Sequence, residues 1–120
     1  MEFKHFKTNL GPENEYPKLV RDKIPAIVSA RTGQETKNRI LESDEEYLKF
    51  LLHKVQEEAY ELANAEGREH VAEEAADVKE LLDTILEMHG LTWAEVQEVQ
   101  TKKAAERGGF RGRVLMIEKA

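Results

Sequence analysis

Glu57-Glu58-Ala59-Tyr60-Glu61 and Glu73-Glu74-Ala75-Ala76-Asp77 are the segments around which this chain organises, with Gly67 roughly midway between them. They place an E-x-x-E on one predicted helix and an E-x-x-D on the next. In an antiparallel helical hairpin, residues equidistant from the turn have a constant index sum. Glu61 therefore lies level with Glu74, and Glu58 with Asp77. Within each helix the two acids are one i, i+3 step apart, on a shared face and about 4.5 Å apart along the axis. Four carboxylates thereby converge on a small volume. At that range they repel strongly unless protonated or neutralised by a cation.

Spacing alone is weak support, because 24 of the 120 residues are acidic and such patterns arise by chance. The register says more. Glu58 interrupts the row Leu51–Val55–Glu58–Leu62, and Glu74 interrupts Val71–Glu74–Val78–Leu81, both apolar stripes of the kind that face a core. A buried, unpaired carboxylate is costly and calls for a proton, a base or a metal. Glu73, Glu80 and Glu87 recur on the opposite side of the third helix and read as a solvated face. Glu66, Glu69 and Asp83 have no claim on chemistry.

Oxygen donors of this kind suit magnesium, with manganese as the alternative, since magnesium shares its shell between carboxylates, waters and substrate phosphates. A zinc reading finds no support: the chain has no cysteine, and His5, His53, His70 and His89 show no paired ligand spacing. Of these, His70 falls four residues before Glu74 and reads as a surface residue. A carboxylate-held magnesium polarises a phosphoryl oxygen and acidifies a bound water. Glu57, adjacent to Glu58, is the candidate base for that water's proton, against the competing reading of a solvated flank acid. No G-x-x-x-x-G-K-S/T loop is present, which excludes a P-loop nucleotidase at the level of motifs.

Charge is unevenly spread. Residues 57–87 hold 11 acids and 2 bases, whereas the whole chain has a net charge of −6. Basic residues gather on either side. Lys18, Arg21 and Lys23 precede or open the first helix, whose N-terminus also favours anions. Lys54 lies one turn before Glu58 and can reach a phosphate or pair with Glu57 or Glu58. Lys102, Lys103, Arg107, Arg111 and Arg113 surround Gly108-Gly109, where backbone N–H groups can approach a phosphate. A helix C-cap with dipole-favourable bases explains that cluster equally well. A solvated acidic helix pair predicts the same overall asymmetry.

Four helices are expected. Asp22 caps a short first helix that runs to about Arg31, with Pro25 in its first turn and Gly33 beyond its end. Ser43 and Glu46 form a capping box for a helix from about Asp44 to Glu66. The third helix runs from about Glu69 to Met88. Thr92 and Glu95 form a second capping box, for a helix to about Arg107, and Trp93 packs near its start. Thr36–Leu41 reads as a brief strand or an extended linker, and Phe110–Ile117 as a C-terminal strand. The fold class is mainly α, a bundle of about four helices with a small accessory β element. Residues 1–15 are an N-terminal extension and 16–120 the helical domain.

A length of 120 residues points to one domain, small enough to gain from oligomerisation. No apolar run approaches the roughly 20 residues that span a bilayer, and no signal-peptide pattern appears. With no cysteine, these features predict a cytoplasmic protein with no membrane partner. The negative net charge argues against nucleic-acid binding.

Lys18-Leu19-Val20-Arg21-Asp22-Lys23-Ile24-Pro25, Glu57-Glu58-x-x-Glu61, Glu74-x-x-Asp77 and Glu106-Arg107-Gly108-Gly109-Phe110 together resemble the MazG-like nucleotide pyrophosphohydrolases. That group includes phosphoribosyl-ATP pyrophosphohydrolase relatives and belongs to the all-α NTP pyrophosphatase superfamily. The resemblance spans about residues 16–117. It implies hydrolysis of a nucleoside triphosphate, noncanonical ones included, to the monophosphate and pyrophosphate. It also implies magnesium held by Glu58, Glu61, Glu74 and Asp77, Glu57 as the water-activating base, and a homodimer or homotetramer. Phosphate contacts are expected from Lys18, Arg21, Lys23, Lys54, Lys102, Arg107 and Arg113. Two alternatives stand beside this reading: the phosphoribosyl-ATP step of histidine biosynthesis, and a non-catalytic helical interaction module.

Overall fold

Pro25 fixes where the first helix begins. The structure, a computed structural model, describes residues 17–120, so the extension expected over 1–15 lies outside it. Helix α1 is Ile24–Thr32, with Pro25 in its first turn, where a missing N–H costs nothing. Its N-cap is Lys23, not the expected Asp22, and no side chain caps it. The reason is local: the Ile24 N–H donates to the Arg21 carbonyl at 3.0 Å, so a backbone turn closes the start of the helix. Gly33 ends α1 in the left-handed conformation (φ 74°), its N–H donating to the Ser29 carbonyl.

Helix α2 is Asp44–Ala63 and opens on Ser43, whose Oγ accepts from the Glu46 N–H at 3.2 Å. Only this half of the expected capping box forms. The Glu46 carboxylate goes instead to Arg39, at 2.7 and 3.3 Å, which holds its pKa below the usual carboxylate range. The helix stops three residues short of the expected Glu66. The Asn64 side chain donates to the Tyr60 carbonyl at 2.9 Å, and Gly67 turns the chain at φ 85°. Helix α3, Arg68–Met88, follows at once.

The chain divides into two compact units, Met1–Ile85 and Leu86–Ala120. In the first, Leu51 on α2 is the one buried residue among the described residues, 2% exposed. Val55, Leu62, Val78 and Leu81 are half-buried, as their stripes predicted, and so are Leu48, Leu82 and Ile85. Val71, at the head of the α3 stripe, and Leu52 are more open, at 42% and 45%. A shallow groove of about 430 Å³ follows one face of α2, lined by Glu45, Leu48, Lys49, Leu52, His53 and Gln56, and contains none of the candidate ligands.

The second unit carries helix α4, Trp93–Arg107. Here the capping box is complete: Thr92 Oγ1 accepts from the Glu95 N–H at 3.2 Å, and the Glu95 carboxylate accepts from the Thr92 N–H at 2.8 Å. Trp93, expected to pack, is 42% exposed.

Thr36–Leu41 takes the linker alternative, and the strand expected at Phe110–Ile117 does not form. Among the described residues the fold is all helix and irregular chain, so the accessory β element is not part of it. A strand needs a neighbour for its ladder of hydrogen bonds. No described segment pairs with Thr36–Leu41 or with Phe110–Ile117. In the latter, the Arg113 N–H donates to the Phe110 carbonyl, which makes a turn, and Val114 to Ile117 are 75–90% exposed. No described helix is long and apolar enough to cross a membrane.

Candidate metal centre

The hairpin turn at residues 64–67 sends α3 back beside α2, and three carboxylates meet there. Glu58 comes from α2, Glu74 and Asp77 from successive turns of α3. One oxygen from each lies within 4.8 Å of the others. Glu58 and Glu74 are among the better-covered side chains of this unit, with exposures of 15% and 14%, as expected of acids set into apolar stripes. Asp77 is more open, at 38%.

Burial sets the electrostatics. It pushes the Glu58 carboxyl up to about 7, aided by a hydrogen bond shared with Glu74 and by the charges of Asp77 and Glu74, while Lys54 pulls the other way. In the absence of a cation, protonation of Glu58 relieves the crowding near neutral pH. Each acid also has a basic neighbour. Lys54 Nζ lies 4.0 Å from Glu58 and 3.4 Å from Glu57. His70 Nε2 lies 3.3 Å from Glu74. Because the Glu66 N–H donates to His70 Nδ1 at 3.4 Å, the neutral ring carries its proton on Nε2, facing Glu74. Arg21 Nη2 lies 2.7 Å from Asp77 Oδ1, and Arg21 Nη1 lies 3.4 Å from Glu80.

Glu61 does not join the three. It falls in the last turn of α2 and is exposed. Level placement in a hairpin brings backbones together, but the side chain follows the rotation of a helix that stops at Ala63. Glu57 is half-buried and held by Lys54. Lys18 is half-buried ahead of α1, and Lys23 is exposed at its N-cap. In the second unit Lys102 and Arg107 are exposed on α4, and Arg113 is exposed beyond it in the left-handed region, at φ 58°.

Two contacts escaped sequence reasoning. The His70–Glu74 pair had a visible signal, its i, i+4 spacing. The Arg21–Asp77 pair spans 56 residues and had none. Glu80, assigned to a solvated face, is exposed as expected yet serves as the second anchor for Arg21.

The donor set is three carboxylates with no thiolate, and its one adjacent imidazole is already hydrogen-bonded. That chemistry fits a hard divalent cation such as magnesium or manganese. Comparison of the chain with protein-family models, curated proteins and solved structures finds no match.

Proposed function

We propose that this chain is a magnesium-dependent nucleotide pyrophosphohydrolase of the MazG-like kind. It would cleave a nucleoside or deoxynucleoside triphosphate, noncanonical ones included, to the monophosphate and pyrophosphate. The observation that carries this reading is the meeting of Glu58, Glu74 and Asp77 on two facing helices, with an oxygen from each within 4.8 Å of the others. Three like charges held that close, two of them well covered, are a poor arrangement for stability alone. The motif set that surrounds them supports the same reading, as does the all-helical fold.

Glu58, Glu74 and Asp77 would hold the ion; Glu61, which the resemblance adds as a fourth ligand, lies outside the three. Bound there, magnesium would supply charge neutralisation at a phosphoryl oxygen and acidify a water. Glu57 is the base of this scheme: Lys54 fixes its carboxylate beside Glu58, where it can take a proton from a water. Arg21, Lys18 and Lys23 supply donors for phosphate oxygens in the first unit, and Lys102, Arg107 and Arg113 carry the same chemistry in the second. Assembly into a dimer or tetramer belongs to the same proposal. It is supported by the exposed apolar side chains of a chain with so small a buried core.

The test is a panel of nucleoside triphosphates incubated with the protein and magnesium, with products resolved by ion chromatography. Equimolar monophosphate and pyrophosphate are expected. Orthophosphate as the first product places cleavage at the wrong bond. One observation favours a second reading, a non-catalytic helical module: Lys54, His70 and Arg21 already partner the three acids, as in a structural ion-pair network. That module predicts a melting temperature indifferent to magnesium, whereas a cation site raises it with ion concentration.

A further inference from the structure

Asp77 serves two roles, as one of the three converging carboxylates and as the anchor of Arg21. The Arg21 pair differs from the others around the cluster. Lys54 and His70 sit on the same helices as their partners, three or four residues away, and are held by helix geometry. Arg21 reaches α3 from outside any helix, across 56 residues of sequence. Its guanidinium meets Asp77 through a single nitrogen, while the other extends to Glu80 at 3.4 Å. This is not the two-bond fork that makes arginine–carboxylate pairs strong. Both partners are also accessible, at 55% and 38% exposure. Such a pair contributes little net stability and exchanges readily.

We propose that Arg21 is a displaceable counter-charge: it neutralises Asp77 while the acidic cluster lacks a divalent cation, and is released toward phosphate oxygens when Asp77 turns to a cation. The inference rests on the metal-centre reading above. Arginine has no lone pair to offer a metal, so it cannot become a ligand itself, and its positive charge is repelled by a cation at Asp77. Glu80, one turn further along α3, keeps a hold on the guanidinium and gives it a pivot. The remaining N–H donors suit phosphate oxygens. Cation loading thereby prepares an anion-binding group, and the two ligands become positively coupled.

Titration of the full chain with Mn2+ alone, followed by the electron spin resonance of the free ion, tests this without turnover. Relative to the unsubstituted chain, Arg21→Gln is expected to bind Mn2+ about 3- to 10-fold more tightly, from the loss of a competing charge. Asp77→Asn is expected to lose about tenfold or more, and adding Arg21→Gln to Asp77→Asn should restore nothing. Inorganic pyrophosphate should tighten Mn2+ binding in the unsubstituted chain and do so less in Arg21→Gln. Equal or weaker Mn2+ binding by Arg21→Gln, with Asp77→Asn impaired, overturns the counter-charge role and leaves the metal centre standing. Equal Mn2+ binding by the unsubstituted chain and Asp77→Asn overturns both. Should Arg21→Gln not fold, the guanidinium NMR signals of Arg21 in the unsubstituted chain decide: they are expected to shift on adding Mg2+, and constancy overturns the proposal.

Discussion

Glu58 on α2 and Glu74 on α3 bring carboxylate oxygens within 4.8 Å of each other, and the Glu58 carboxyl there holds its proton to a higher pH than it would in water. Burial is the larger cause, and it raises Glu58 to about 7. The sign of the pH dependence follows. A carboxyl near 4.5 in the unfolded chain and near 7 in the folded one makes the folded state the better proton binder between those values. The stability this proton confers is complete below about pH 4.5 and is lost as pH rises through about 7. In the absence of divalent cations, thermal unfolding should therefore occur at progressively lower temperature from pH 5 to 8. On the proposed reading magnesium competes with the same proton, so the stabilisation it provides should grow over that range.

Removing the charge separates stability from function. Glu58→Gln should raise the metal-free melting temperature at pH 8, with a gain on the order of 1–2 kcal/mol, because a neutral amide ends the repulsion from Asp77 and Glu74. On the proposed reading, the same substitution and Asp77→Asn each remove a metal ligand and should reduce pyrophosphate release by about 100-fold or more. Circular dichroism and product chromatography on the same samples check both halves. Full turnover in both variants would remove the acids from the chemistry.

Leu51 is the point on which the first unit packs, 2% exposed among neighbours that are only half-buried. Leu51→Ala should cost about 2–5 kcal/mol, measured by urea denaturation. Leu52→Ala, one residue on but 45% exposed, should cost well under half as much.

The two capping boxes differ, and their substitutions should differ with them. Thr92→Ala breaks a cap with both arms made and should destabilise α4 by about 1–2 kcal/mol. Ser43→Ala removes a single bond, at 3.2 Å, from a box whose second arm Arg39 has taken, and should cost about 0.5–1 kcal/mol. Amide hydrogen exchange at the first turns of α4 and α2 resolves the comparison.

Phe110 is 98% exposed, and Val114, Leu115, Met116 and Ile117 follow at 75–90%. Unburied apolar side chains in such number favour association. Light scattering should give a mass that is a multiple of the 13.8 kDa chain, and Phe110→Ser with Ile117→Ser should shift the equilibrium toward single chains. A stable 13.8 kDa species at micromolar concentration counts against assembly.

Much of the helical organisation was legible in the chain. Gly33, Ser43, Thr92 and the turn near Gly67 mark boundaries through hydrogen bonds that reach only a few residues, so local sequence suffices to place them. Where Asp22 and Glu46 departed from expectation, other partners supplied the hydrogen bond: the Arg21 carbonyl closed the turn before α1, and Arg39 took the Glu46 carboxylate.

The candidate site was legible in part. Glu58 and Glu74 stood out because each breaks an apolar stripe, a signal carried by 3.6-residue periodicity, and both are well covered in the structure. Periodicity specifies a face of one helix and is silent on how far that helix continues or what crosses it. The strand expected at Phe110–Ile117 failed for a related reason: apolar sequence supplies β propensity, but only a partner in space supplies the ladder.

By itself, then, the sequence determined four helices, the N-caps at Ser43 and Thr92, a turn near Gly67 and two inward-set acids, because each of these depends on groups within a turn or two of one another. Only the tertiary structure decided that Glu61 stays outside the cluster that Asp77 joins as expected, and that Arg21 lies on Asp77 at 2.7 Å. Those outcomes turn on side-chain directions and on contacts between residues as much as 56 positions apart, which no local rule encodes.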